Sequence, residues 1–171
     1  GSDWPTALTA LGARFVVQGA GGLGRRGTQT VNAADFFTGL LTTAVGEHDI
    51  LIAIEVPRLG PNQHAEYAKM AHPATSFAVV DAAVVVTVEG DRCTSATVTV
   101  GGLVPVPLKA RAVENALVGQ ELTADTIAAA SERVTIDLGS NATGDIYASA
   151  DFRRAMAAEE VKHALNHAVG L

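Results

Sequence analysis

With 171 residues, almost half of them hydrophobic and few of them aromatic, the chain can bury a core of its own as one domain or two small ones. Its formal charge of −6 at pH 7 argues against nucleic acid as a main partner, because a phosphate-binding face needs clustered Lys and Arg. The only basic doublets, Arg25-Arg26 and Arg153-Arg154, read as solvated surface, the single Cys93 excludes an internal disulfide, and no apolar run approaches the ~18 residues of a membrane-spanning helix. With no basic-then-apolar leader pattern and a lone thiol suited to a reducing compartment, the expected location is cytoplasmic.

In chain order, DWPTALTALGA opens directly into a helix, with Asp3 as N-cap and Pro5 in the first turn. So abrupt a start is expected of a piece cut from something longer. Next come two strand-like runs, one around Phe15 and one around Thr28-Gln29-Thr30, joined by a glycine-rich connection. Gly19, Gly21 and Gly24 have the spacing of a dinucleotide fingerprint. That site needs its third glycine to open a helix whose free N–H groups meet the phosphates. The residues after Gly24 are polar and β-branched without helical spacing, so the segment predicts a hairpin with a mobile tip. In VNAADFFTG, Asn32 is placed to cap a short helix, with Asp35 three residues on as a variant capping box. DILIAIEVP (49–57) is apolar on both faces, predicting a strand buried on both sides and ended by Pro57. RLGPNQH (58–64), with Gly60, Pro61 and Asn62, is the linker, dividing the chain into units 1–60 and 61–171.

The second unit begins with AEYAKMA, a short strand, and continues with two strands around Glu89-Gly90-Asp91, an antiparallel hairpin signal. Val80, Ala82, Val84, Val86 and Val88 share one face of the first strand. Val79, Asp81, Ala83, Val85 and Thr87 share the other, so both faces should be covered. On the second strand Ala96, Val98 and Val100 face inward, and Ser95, Thr97 and Thr99 predict a wet side. The rest is helical: LKARAVENALVGQ, ending at Gly119; TADTIAAASERV, capped by Thr123; and a long last helix capped by Ser149, with Phe152, Met156, Val161, Leu165 and Ala168 on its buried side. The fold class is α+β: the end of an α/β lobe, then a small antiparallel sheet packed against helices.

Chemistry is sparse. His163 and His167 stand four apart on the last helix, but Ala164 occupies the position where a zincin needs Glu, and no third ligand is evident at motif spacing, Glu159 or Glu160 being the candidates for one. Cys93 reads as a buried inert thiol, and Ser95, Ser131 and Ser149 lack a nucleophile elbow. No complete active site can be assembled and no catalytic residue is assigned. One stretch stands out. EYAKMAHPATSFAVV puts Lys69 before, and Phe77 after, a turn through His72–Ser76, so a cation and a ring could face one ligand. The alternative is Lys69 in solvent and Phe77 in the core.

At these residues the sequence begins to resemble a family. DWPTALTALGARFVVQG, ADFFTG, DILIAIEVP, YAKMAHPATSFAVV and DIYASADFRRAMA follow, in order and spacing, the FAD-binding subunit of the molybdenum hydroxylases, nearest the medium subunit of aerobic carbon monoxide dehydrogenase. The resemblance covers essentially the whole chain and implies roughly the last three-fifths of such a subunit. Its two Gly-rich phosphate loops would lie before Asp3, so the FAD site here would be incomplete. Four flavin contacts are implied: Asp3, at an acidic position after the second loop; Leu51, an apolar contact to the isoalloxazine region; Lys69, reaching the ring; and Phe77, where that branch often has Tyr, covering one face. Phe77 lacks the hydroxyl, leaving stacking as its role.

The function implied is electron transfer. A molybdenum-cofactor large subunit oxidises substrate, two [2Fe–2S] clusters in a small subunit carry electrons to FAD on this subunit, and an external acceptor takes them up. Two other readings stay open: a non-catalytic assembly module that docks partner subunits, and a metal enzyme built on His163 and His167.

Overall fold

The computed structural model describes residues 3–20 and 26–171. Helix α1 (Asp3–Ala10) leads into β1 (Arg14–Ala20), which pairs antiparallel with β2 (Arg26–Asn32) in a register running from Arg14↔Asn32 to Ala20↔Arg26. The expected hairpin is therefore present, with Gly19 on β1. Gly21, Gly24 and the tip of the connection lie outside the described residues.

A single turn, α2 (Ala33–Phe36), comes next, then the small antiparallel pair β3 (Phe37–Gly39) and β4 (Thr42–Thr43). Asn32 stands at the N-cap of α2 but its side chain makes no capping hydrogen bond, so the expected capping box does not form. Tertiary contacts hold the turn instead. The Ala33 N–H donates to the Ala13 carbonyl at 2.8 Å, the rings of Phe15 and Phe36 stack at 3.7 Å, and Phe37 meets both edge-on.

Strand β5 (Asp49–Glu55) pairs with the other edge of β1, giving the order β2-β1-β5. Burial on both sides was the expectation for this strand, and the structure corrects it. Ile50 is 66% exposed, Ile52 54% and Leu51 38%. Apolar residues on both faces make a strand fit for burial, but here β5 is an edge strand with neither face covered among the described residues.

The second sheet has the order β6-β7-β8-β9: β6 (Gln63–Ala71), β7 (Ala78–Glu89), β8 (Arg92–Gly101) and β9 (Leu108–Lys109), all antiparallel neighbours. Four helices complete the chain: α3 (Arg111–Leu117), α4 (Ala124–Ser131), α5 (Val134–Leu138) and α6 (Ala150–Val169). Thr123 and Ser149 cap α4 and α6 as expected, accepting from the N–H groups of Thr126 and Phe152 at 3.2 Å. Val80, Ala82, Val84 and Val86 of β7 form one core with Val98, Val100, Leu117, Ile127, Val161 and Leu165. A smaller core gathers Leu8, Phe15, Val17 and Phe36.

Three local expectations change in three dimensions. Thr99 is fully buried rather than wet, because α1 packs over β7 and β8 and closes that side of the sheet near Gly101. On α6, Val161 and Leu165 are inside, but Phe152 is 42% exposed and Arg153 takes the inward position in its place. Arg153 is thus a buried residue and no part of a solvated doublet. Helix α1 is also shared. Its Leu8 belongs to the smaller core, while its Thr6 bonds across to β7.

Candidate functional site

Strands β6 and β7 pair with Lys69 opposite Asp81, so both side chains stand on the face that α1 crosses. The Lys69 ammonium donates to the Asp3 carboxylate at 2.7 Å and to the Ser76 carbonyl at 3.1 Å. Asp3 is the first residue of α1. Its carboxylate serves this ion pair, where the sequence predicted an N-cap. The carbonyl partner comes from the β6–β7 turn, closed by Ser76 N–H to His72 O and His72 N–H to Phe77 O, both at 2.8 Å. Ser76 has φ of 59°, a left-handed conformation that a non-glycine residue adopts at a cost, and it aims its carbonyl back at Lys69. The next residue, Phe77, is left with 61% of its surface exposed. Trp4, adjacent to Asp3, is 67% exposed.

Behind the ion pair lies a buried polar layer. Asp81, 1% exposed, accepts from the Thr6 hydroxyl through Oδ1 and from the Tyr67 hydroxyl through Oδ2, each at 2.9 Å. Burial pushes the Asp81 carboxyl up from the ordinary 3.8 to about 6, against the two hydroxyl donors, and nearby Asp3 adds to the rise. The Tyr67 phenol is pushed well above its ordinary value by burial and by the Asp81 charge.

This shift carries a sign. Because the folded-state value lies above the unfolded one, Asp81 contributes stability that is fully present below pH 3.8 and lost as pH rises through about 6. Chemical unfolding of wild type against Asp81→Asn at pH 4.5 and 7.5 should show wild type gaining about 2 kcal/mol relative to the variant at the lower pH. Equal pH dependence in the two proteins would refute it.

Of the four residues singled out in the sequence, Asp3 and Lys69 are brought into contact, and Phe77 directly follows Ser76, whose carbonyl accepts from Lys69. Leu51 stands apart, on the edge strand of the other sheet. Sequence reasoning passed over Thr6, Tyr67 and Asp81 as site residues. The one available signal was Asp81 itself, a lone carboxylate on a Val/Ala strand with both faces covered, which must find donors in the fold.

The cluster lies on an open rim rather than in a closed cavity. A hollow of about 190 Å³ beside it, lined by Ala7, Ala10, Leu11, Ala65, Tyr67 and Ala83, is mostly apolar and does not include Lys69 or Phe77. Elsewhere, the rings of His163 and His167 meet edge-on at 4.3 Å, and no group of three or more His, Cys, Asp and Glu is placed to hold a metal among the described residues. Cys93 is fully buried, and burial raises its thiol.

A four-stranded antiparallel sheet backed by helices, tied by α1 to a smaller sheet, is the architecture seen in the medium subunits of molybdenum-containing dehydrogenases. The chain belongs to that family: residues 65–168 match the CO dehydrogenase flavoprotein C-terminal domain, and residues 1–59 match the FAD binding domain in molybdopterin dehydrogenase. Among relatives, it is 29% identical to the carbon monoxide dehydrogenase medium chain of Hydrogenophaga pseudoflava, over 98% of this chain and 56% of that one. It is 29% identical to the glyceraldehyde dehydrogenase medium chain of Sulfolobus acidocaldarius, over 90% of this chain and 52% of that one. Among solved structures, quinoline 2-oxidoreductase from Pseudomonas putida 86 superposes with a TM-score of 0.87 at 26% identity, covering 99% of this chain and 56% of that one. The chain spans about half the length of the curated relatives it matches.

Proposed function

We propose that this chain forms one wall of the FAD site in the medium subunit of a molybdenum hydroxylase of carbon monoxide dehydrogenase type. The observation that carries the reading is the Lys69 ammonium, held between the Asp3 carboxylate and the carbonyl of Ser76, the residue that precedes the exposed Phe77. A flat heteroaromatic ring with a polar edge fits such a rim: Phe77 offers a face to stack on, and Lys69 offers a donor and a positive charge at the edge. The chemistry that FAD supplies when bound is electron transfer, taken from the [2Fe–2S] clusters of a small subunit and given to an external acceptor.

This chain's own residues do the holding. Lys69 favours negative charge next to it, Asp3 and Ser76 fix where its ammonium sits, and Phe77 keeps water off one face. Leu51 would add an apolar contact from β5. The partners in this reading are a molybdenum-cofactor large subunit and an iron–sulfur small subunit, and the compartment is the cytoplasm. A second reading, an assembly module that only docks other subunits, is favoured by the uncovered apolar faces of β5.

The deciding measurement is the visible spectrum of the full-length subunit purified without added cofactor. Flavin bands, with FAD released on denaturation, are expected. A colourless protein that takes up no added FAD would overturn the flavin reading and leave the docking one.

A further inference from the structure

The Asp81 carboxylate ties three elements together, yet it has no part in holding the flavin through Lys69 and Phe77. It sits on β7, takes one hydrogen bond from Thr6 on α1 and one from Tyr67 on β6, and is shielded almost completely from water. The site has no room to spare: a Cβ added at Gly101, opposite Asp81 on β8, would lie 2.1 Å from the Thr6 hydroxyl and 2.5 Å from Asp81 Oδ1. Thr6 lies one helical turn beyond Asp3 on α1, and Tyr67 lies two residues before Lys69 on the same face of β6. Asp3 on α1 and Lys69 on β6, the two members of the ion pair at the rim, are thereby held close to Asp81.

We propose that Asp81 is a positioning residue for the flavin site: by fastening α1 through Thr6 and β6 through Tyr67 to one buried carboxylate, it sets where Asp3 meets Lys69. The inference rests on the flavin reading of that ion pair. Helix α1 otherwise reaches the smaller core through Leu8, so without the Asp81 clamp its first turn, and Asp3 with it, loses its only hydrogen-bonded tie to β7 among the described residues. Displacing Asp3 frees the Lys69 ammonium to swing toward solvent, and a donor misplaced by about 1 Å is a poor donor to a rigid ring.

The test uses the full-length subunit and compares wild type with Asp81→Leu, Asp81→Asn and Thr6→Val. FAD affinity is measured by titration, the flavin midpoint potential by dye equilibration, and melting temperature alongside. Asp81→Leu and Thr6→Val are expected to weaken FAD binding on the order of tenfold and to shift the potential. Asp81→Asn, which keeps the volume and one acceptor oxygen, should recover most of both. Variants that melt earlier yet keep wild-type affinity and potential while folded would overturn the proposal, reducing Asp81 to a clamp for stability alone. If Asp81→Leu does not fold, Thr6→Val decides by the same criterion. A wild-type subunit that binds no FAD overturns the flavin reading itself, before any variant is compared.

Discussion

Replacing Lys69 with Ala in the full-length subunit is expected to weaken FAD binding on the order of 10- to 100-fold and to lower the flavin midpoint potential. The size comes from the kind of interaction lost. A hydrogen bond to a charged group contributes roughly 1.5–3 kcal/mol, and about 1.4 kcal/mol is a factor of ten in affinity. Lys69 is poised for such a bond without further ordering, since Asp3 at 2.7 Å and Ser76 at 3.1 Å already hold its ammonium. Its removal also takes away the cation that pairs with the Asp3 carboxylate. Two changes then act in one direction, a positive charge lost and a negative one uncovered, and both disfavour added negative charge on a nearby ring. Lys69→Arg should recover charge but not geometry, because a planar guanidinium cannot take the place of a compact ammonium between these two acceptors. Unchanged FAD content together with an unchanged potential in Lys69→Ala would remove Lys69 from the site.

Arg153→Met is expected to cost the fold about 3–5 kcal/mol, because several acceptors lose their donor at once. The guanidinium is buried at the start of α6. Nη1 donates to the Val79 carbonyl at 3.0 Å and to the Gly102 carbonyl at 2.9 Å, Nε donates to the Ala148 carbonyl at 3.4 Å, and Nη2 pairs with Asp145. One side chain thus joins β7, the segment after β8, the approach to α6 and the loop before it. Methionine fills similar space but strands those carbonyls without donors. Lys should not rescue, since a single ammonium cannot span the set. A loss under about 1 kcal/mol by urea unfolding would show that water replaces the guanidinium.

Asp145 gives this corner a pH dependence opposite to that of Asp81. The N–H groups of Ala148 and Tyr147, with Arg153 behind them, hold its carboxyl below the usual carboxylate range. Its contribution is therefore present above the ordinary carboxylate value and fades as pH falls through the lowered one.

Several features of this protein are set by local sequence alone. Alternation with apolar residues on both faces marked β7 as covered on both sides, Thr123 and Ser149 marked the starts of two helices, and the polar run after Gly24 marked a hairpin in spite of the fingerprint spacing. These depend on periodicity, capping and turn chemistry, which act over a few residues. The turn between Lys69 and Phe77 was legible for the same reason.

What only the tertiary structure decided concerns which surface meets which. The same two-faced apolar pattern is buried in β7 and exposed in β5, because one strand is central and covered by α1 and α6 while the other is an edge. Arg153, next to Arg154 in a doublet that reads as surface, is inside because three carbonyls from separate segments converge on it. The Asp3–Lys69 pair spans 66 residues, and the Thr6–Asp81 bond spans 75. No local pattern encodes contacts of that reach. They exist because a helix from the first segment of the chain lies across a sheet made by the second, where a buried carboxylate must be given its donors.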